Sequence, residues 1–247
     1  MRLKLEFSLK EKYIPIDYHK LFLKFIKKSI SEYQNGKFFD MFYNDDISKN
    51  TEKTYSWSVG FKDPIFKNGY IDVNGKKVNL VFVIPSMKNS LILLNSFMDQ
   101  KDKEMKVSEK NYMKLESVKI LREKKIKGNL FIAKILSPII IRDHNRDTNK
   151  DVYYSVDDNE FISELKKKLK RDCPSYEKEI DDLMIDTSNA KKIVVTLYGQ
   201  KINSTIGNLV FIGDKNLLNY LYNSSIGSRK SLGFGVIEEI FSGELKK

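Results

Sequence analysis

The chain has 247 residues, of which 41% are hydrophobic and 12% aromatic, and this apolar content excludes global disorder because it can fill a buried core. Lysine and arginine number 44 against 33 aspartates and glutamates, and the net charge of +11 favours a polyanionic partner, nucleic acid rather than a membrane surface. No apolar run is long enough to span a bilayer, and the alternation of charged and apolar residues in Met1–Lys12 is not that of a secretion signal.

The first half of the sequence predicts four strands and two helices. Apolar and polar residues alternate over Met1–Leu9, which is typical of a half-buried strand. Pro15 and Asp17 then open a predicted helix that runs to about Tyr33, with one apolar and one lysine-rich face. The elements that follow are a strand over Tyr55–Phe61, a strand over Val78–Ile84, a helix over Lys88–Asp99 and a strand over Tyr112–Arg122.

A basic run, Arg122 to Lys127, and Gly128 separate the halves, so we expect domains of residues 1–127 and 128–247. The second half begins with an apolar strand over Leu130–Ile141, interrupted at Ser137-Pro138, followed by a helix over Asp158–Arg171 with Asp158 as its N-cap. The remaining elements are strands over Lys192–Leu197 and Ile206–Ile212, a helix over Asp214–Tyr222 and a strand over Phe234–Phe241. Two polar insertions, Asp143–Asp151 and Pro174–Ala190, are expected to form solvated loops or a small extra helix.

Both halves therefore have the order β-α-β-β-α-β. This order predicts an α+β protein of two tandem ferredoxin-like, or RRM-like, domains with antiparallel sheets.

The single cysteine, Cys173, excludes an intramolecular disulfide and predicts a reducing, cytoplasmic location. Cys173, His19 and His144 lack the spacing of zinc ligands, so no metal and no other cofactor is expected. A metal ion held by carboxylates alone is the alternative that this pattern leaves open.

The segment Gly227–Gly235 is the strongest candidate for a nucleic-acid contact. Its glycines permit positive φ angles and close backbone approach, so that N–H groups can face a phosphate, and two basic residues add charge. The predicted RNA-binding residues of this loop are Gly227, Ser228, Arg229, Lys230, Ser231, Gly233 and Gly235. A glycine-rich turn with no ligand is the alternative interpretation.

Three segments together resemble the CRISPR-associated repeat-RNA endoribonucleases of the Cas-six type, in the RAMP superfamily. These proteins have a glycine-rich loop before their last strand, as in Gly227–Gly235, although Ser225 replaces one of the family's glycines here. The segment Leu136–Arg142 resembles the first strand of their second domain. Pro15–Ile30, followed by Tyr55–Ser58, resembles their first helix and second strand.

The resemblance implies cleavage without metal, by attack of a ribose 2′-hydroxyl on the neighbouring phosphate. Many members use a histidine after the first helix, a tyrosine on that helix and a later lysine. Aligning Pro15–Ile30 without gaps places Lys27 at the tyrosine position, and continuing to Lys37–Asn44 places Tyr43 at the histidine position. Tyr43, Lys27 and Lys28 are therefore the predicted catalytic residues. Lys49 or Lys53 is the candidate for the later lysine.

Each of these assignments has a structural alternative. The lysines of the first helix, which include the predicted RNA contacts Lys20 and Lys24, would otherwise form a solvated face, and Tyr43 would pack with its hydroxyl at the surface. His144 is expected to be a solvated histidine rather than a catalytic one. The chain as a whole is predicted to be an endoribonuclease acting on CRISPR repeat RNA. The alternatives are a repeat-RNA-binding protein that does not cut and a structural subunit of an interference complex, and a homodimer is a further candidate assembly.

Overall fold

The computed structural model describes residues 1–43, 55–145 and 147–245, which fall into two compact units. The first unit comprises Met1–Tyr55 and Val59–Arg122, and the second comprises Ser56–Ser58 and Glu123–Lys247. Among the described residues, no helix is both long enough and apolar enough to cross a membrane.

The N-terminal half contains a five-stranded antiparallel sheet of the order β3-β6-β1-β8-β7 and a small sheet of the order β2-β5-β4. Its elements are β1 (Arg2–Leu9), β2 (Tyr13–Pro15), α1 (Tyr18–Glu32), α2 (Phe39–Phe42), β3 (Ser56–Phe61), β4 (Ile65–Phe66), β5 (Tyr70–Asp72), β6 (Lys77–Val83), α3 (Met87–Met98), β7 (Glu104–Lys106) and β8 (Tyr112–Leu121). The predicted strands and helices of this half are present, because their apolar periodicity reflects a single buried face of each element.

The core of the first unit lies between the sheet and its two longer helices. The central strand β1 directs Leu3, Leu5 and Phe7 into this core. The Phe7 ring packs edge-on against Phe25 of α1 at 5.1 Å, and Phe25 stacks on Phe97 of α3 at 5.8 Å. The helices therefore cover one face of the sheet, as in a ferredoxin-like domain.

The C-terminal half contains a sheet of the order β12-β14-β9-β15, with β13 paired to β14, and a separate hairpin of β10 and β11. Its elements are β9 (Leu130–Ile135), β10 (Ile141–Asn145), β11 (Lys150–Tyr154), α4 (Phe161–Asp172), α5 (Glu177–Asp182), β12 (Met184–Asp186), β13 (Ala190–Leu197), β14 (Gln200–Ile212), α6 (Lys215–Ser224) and β15 (Ile237–Gly243). With β9 and β14 in the middle of the sheet, this unit is also ferredoxin-like, so the predicted fold class is confirmed.

Several local predictions in the second half are wrong. The carboxylate of Asp158 does not cap α4, because it accepts hydrogen bonds from the amide and hydroxyl of Ser155 instead, and Glu160 occupies the N-cap position. Asp143–Asp151 is not a loop, because its residues form most of the β10–β11 hairpin. β14 already begins at Gln200, because the polar residues before Ile206 pair with β13.

Candidate nucleic-acid interface

Two of the three predicted catalytic residues are in contact within the first unit. The ammonium group of Lys27, on α1, lies 5.1 Å from the centre of the Tyr43 ring, which follows α2. The Tyr43 hydroxyl lies 2.5 Å from the hydroxyl of Tyr55, and both rings are buried, with 7% and 2% of their surface exposed. Burial raises the pKa of Tyr55 well above its usual value near 10, and the neighbouring Tyr43 adds to this effect. Tyr55 therefore keeps its proton, and either hydroxyl can donate to the other.

The other predicted lysines lie along α1 among acidic neighbours. The ammonium group of Lys20 is 2.6 Å from the carboxylate of Asp17, and that of Lys28 is 3.8 Å from Glu32. Lys24 is exposed, as are Lys20 and Lys27. Because exposed ion pairs of this kind add little stability, these lysines can exchange a carboxylate for a phosphate at little cost.

His19 is placed inside the first unit rather than at its surface. It is 4% exposed, and its ring stacks on that of Tyr18 at 4.3 Å. The two candidates for the later lysine, Lys49 and Lys53, lie outside the described residues.

The glycine-rich loop is a tightly packed turn of the second unit. Gly227, Gly233 and Gly235 all have positive φ angles, of 87°, 96° and 76°. The amide of Ser228 donates to the carbonyl of Ile140 at 2.7 Å, and the amide of Gly235 donates to that of Pro138 at 3.0 Å. Because these amides already donate to carbonyls of the same unit, they are not available to a phosphate. The phosphate contact expected of this loop is therefore restricted to residues 229–231, which are half-buried.

Trp57 and Ser225 explain why the loop keeps its shape. The indole N–H of Trp57 donates to the carbonyl of Ser231 at 2.9 Å, and the ring lies so close to Gly233 that a Cβ there would come within 2.8 Å of it. Ser225 stands where the resemblance expects a glycine and does adopt a positive φ of 60°. The buried hydroxyl of Ser225 lies 2.6 Å from that of Ser56. This hydrogen bond stabilises Ser225 in a backbone conformation that glycine would adopt without strain.

Arg229 belongs to a charged cluster on the β10–β11 hairpin. A guanidinium nitrogen of Arg229 lies 3.6 Å from one oxygen of Asp151, while Arg142 and His144 Nδ1 each lie 2.7 Å from the other. Tyr153 donates its hydroxyl to Asp151 at 3.0 Å. The Arg142 guanidinium, together with His144 and Tyr153, lowers the pKa of Asp151 well below its usual range. Two arginines around one carboxylate leave this cluster with net positive charge.

Lys230 pairs with a different acidic residue. Its ammonium group lies 3.1 Å from the carboxylate of Asp172, at the end of α4, and Lys168 also pairs with that carboxylate. The side chains of Lys230 and Asp172 are only 12% and 5% exposed. The ion pair of Lys230 is therefore largely buried, whereas the side chain of its neighbour Arg229 is partly exposed.

The second half of the chain, residues 121–239, matches a family model described as "CRISPR associated protein Cas6, C-terminal". Among solved structures, the product of a Cas6-related gene from Pyrococcus furiosus superimposes with a TM-score of 0.80 at 17% identity, covering 98% of this chain and 99% of that one. A structure described as "An RAMP protein binding different RNA substrates" gives 0.79 at 15% identity, with 98% and 100% covered. A third, a CRISPR-associated protein Cas6, gives 0.75 at 17% identity, with 98% and 99% covered. The search of curated proteins found no match. The second half of the chain is thus similar to the C-terminal domain of Cas6, and the whole chain has the fold of the Cas6 and RAMP structures.

Sequence reasoning missed several residues of this site. Asp151 was placed in a polar insertion, although it organises Arg142, His144 and Arg229. A signal was present: Arg142 and His144 are two residues apart, as are Asp151 and Tyr153, which is the spacing of side chains on one face of a hairpin. Trp57 and Asp172 carried no comparable signal, because their contacts with the loop are distant in sequence.

Within residues 1–43, 55–145 and 147–245, no three histidine, cysteine, aspartate or glutamate side chains are grouped as a metal site. Cys173 is a free, buried thiol.

Proposed function

We propose that this chain is an endoribonuclease that processes precursor CRISPR RNA by cutting within the repeat. In the proposed reaction the ribose 2′-hydroxyl attacks the adjacent phosphorus and loses its proton to water, while the bond from phosphorus to the 5′-oxygen breaks. The leaving oxygen gains a proton, so the products are a 2′,3′-cyclic phosphate and a 5′-hydroxyl. The match of residues 121–239 to the Cas6 C-terminal family model and the net charge of +11 support this function, and the contact between Lys27 and Tyr43 is the observation that carries it.

Tyr43, Lys27 and Lys28 are the proposed catalytic residues. In this proposal Tyr55 donates to the Tyr43 oxygen, so that the proton of Tyr43 is directed away from Tyr55, passes to the leaving oxygen and is later replaced from water. The negative charge that then develops on Tyr43 is stabilised by this hydrogen bond and by the ammonium group of Lys27. Lys28 supplies positive charge for the phosphate.

RNA binding is proposed for the glycine-rich loop and for the exposed lysines Lys20 and Lys24. Arg229 is the residue of the loop best placed for a phosphate, since its guanidinium is 35% exposed and its contact with Asp151 is a long one of 3.6 Å. The protein is proposed to work in the cytoplasm on repeat RNA, with an interference complex or a second copy of the chain as further partners.

A second candidate function is binding of repeat RNA without cleavage. It is favoured by one observation: Tyr43 stands where many family members place a histidine, and a phenol has an ordinary pKa near 10, far from neutral pH. In this case the same basic surfaces would hold RNA for other proteins.

Cleavage of repeat RNA in excess chelator separates the two functions. We expect cleavage to continue, with a 2′,3′-cyclic phosphate at the new 3′ end, because the reaction uses side chains only. Terminal-group analysis of the fragments by mass spectrometry checks this. Tight binding with intact RNA would support the second function, and activity restored only by a divalent ion would contradict the proposed mechanism.

Arg229→Ala and Lys230→Ala are expected to have different effects, although the residues are adjacent. Arg229→Ala should weaken RNA binding and reduce the slope of log affinity against log salt by about 1, because one phosphate contact is lost. Lys230→Ala should mainly lower the midpoint of urea unfolding, because it removes one of the two lysines paired with the buried Asp172. Salt titrations and urea curves of both variants check this. An unchanged salt slope for Arg229→Ala would remove Arg229 from the RNA contact.

A further inference from the structure

The hairpin formed by β4 and β5 exposes rings and aliphatic side chains to solvent. All residues from 62 to 70 are exposed, including Ile65 at 60%, Phe66 at 64% and Tyr70 at 38%. Neighbouring apolar side chains that stay in solvent are a mark of binding surfaces, since burial would otherwise stabilise the fold.

The sheet β2-β5-β4 has one buried face and one open face. Ile14 and Ile71, which lie opposite each other, are 0% exposed and define the buried face. Pro15 lies opposite Tyr70, and Tyr13 is two residues from Pro15, so Tyr13 and Tyr70 share the open face. Ile65 lies opposite Asp72 and Phe66 lies opposite Ile71, so Ile65 is also on the open face, whereas Phe66 is on the other face. The rings of Tyr13 and Tyr70 meet edge to face at 6.0 Å. The Tyr70 ring is therefore held in a fixed position by a neighbour while part of it faces solvent.

Basic residues surround these rings. The ammonium group of Lys67 lies 5.4 Å from the centre of the Tyr70 ring and 2.5 Å from the carboxylate of Asp72. The chain segments at the edges of this sheet are joined to it by hydrogen bonds: the amides of Val73 and Asn74 donate to the carbonyls of Lys12 and Lys62, and Lys76 Nζ donates to the carbonyl of Lys10. Together, residues 10–15 and 62–76 contain five lysines and three acidic residues. The lysines are Lys10, Lys12, Lys62, Lys67 and Lys76, and the acidic residues are Glu11, Asp63 and Asp72. The surface thus combines exposed rings with excess positive charge.

We propose that the open face of the β4–β5 hairpin is a binding site for single-stranded RNA, in which Tyr70 stacks on an unpaired base and the surrounding lysines contact the phosphates. Unpaired bases stack on exposed aromatic side chains of sheets, while backbone phosphates need nearby cations. The excess of lysine over acidic residues favours RNA over an apolar protein surface as the occupant. The site rests on the RNA binding proposed above, and it extends that function to residues outside the glycine-rich loop and α1.

Variants that remove an aromatic ring are compared with a variant that removes an aliphatic side chain. Tyr70→Ala removes a ring from the open face, Ile65→Ala removes an aliphatic side chain from the same face, and Phe66→Ala removes a ring from the other face. The probes are short single-stranded oligoadenylate and repeat RNA, with binding to the full chain measured by fluorescence anisotropy. We expect Tyr70→Ala to lose roughly tenfold in affinity for oligoadenylate. Phe66→Ala and Ile65→Ala should bind as the parent does.

Photo-cross-linking of oligoadenylate to the parent provides a second readout that does not depend on affinity changes. Cross-linked nucleotides should appear on the tryptic peptide 68–76, which carries Tyr70. If the parent binds RNA, but Tyr70→Ala binds equally well and this peptide carries no nucleotide, the inference is wrong while the proposed function stands. If Ile65→Ala weakens binding as much as ring removal, an apolar docking surface replaces base stacking. If the parent binds neither RNA, the proposed function and this site both fail.

Discussion

Replacing Tyr43 with phenylalanine is expected to slow repeat-RNA cleavage by roughly 10²- to 10⁴-fold, the usual effect of losing a positioned acid or base. The substitution removes only the hydroxyl that lies 2.5 Å from Tyr55 and keeps the ring under Lys27. Because Tyr43 is nearly buried and contributes no charge, the affinity for RNA should barely change. Single-turnover cleavage rates and equilibrium binding measure the two quantities separately.

Tyr55→Phe is the matched control for this prediction. It breaks the same hydrogen bond but leaves the hydroxyl of Tyr43, so it should slow cleavage much less than Tyr43→Phe does. Equal losses in the two variants would indicate a structural role for the pair. Lys27→Ala should lower the rate and also weaken binding, since it removes a positive charge near the phosphate.

Two histidine variants test whether the active centre lies elsewhere. His19 is buried, and His144 is held by Asp151, so neither His19→Ala nor His144→Ala should abolish cleavage. If either did so while Tyr43→Phe cut at the parent rate, the assignment of Tyr43 would be wrong.

Gly235→Ala is expected to destabilise the second unit by about 2–4 kcal/mol, because it combines an unfavourable backbone angle with a steric clash. Gly235 has a φ of 76°, and a Cβ at this position would lie 1.9 Å from the carbonyl oxygen of Ile226. That carbonyl belongs to a residue whose own amide donates to the Gly235 carbonyl at 2.9 Å, so the two segments cannot separate without losing this hydrogen bond.

Gly199→Ala separates the two contributions. Gly199 has a similar φ of 81°, but no atom lies within 4 Å of the position that a Cβ would take, so only the backbone angle is unfavourable and the cost should be about 1 kcal/mol. Urea unfolding followed by the fluorescence of Trp57, the only tryptophan, reports on the second unit, in which its indole contacts Ser231. Equal costs for the two variants would mean that the loop can move away from Ile226.

Local patterns in the sequence were sufficient to predict most of the fold. The alternation in Met1–Leu9 specified β1, and Asp214 before an apolar face specified α6, whose first amides it does cap at 2.8 and 3.0 Å. The order of such elements then indicated two ferredoxin-like units, because few topologies satisfy β-α-β-β-α-β. The exact start of α4 could not be predicted, since Asp158 had a local competitor in Ser155 for its hydrogen bonds.

The sequence by itself determined the charge, the fold class and the glycine-rich loop, because each of these depends on composition or on residues close together in the chain. Only the tertiary structure decided how the residues of that loop are used. Arg229 faces Asp151 on the β10–β11 hairpin, whereas Lys230, its neighbour in sequence, pairs with the buried Asp172. Likewise, Tyr43 gained a partner in Tyr55 and a cation in Lys27 only when the chain folded. Such pairings depend on the packing of distant segments, and hydrogen bonds and ion pairs act over a few ångströms that no spacing in the sequence encodes.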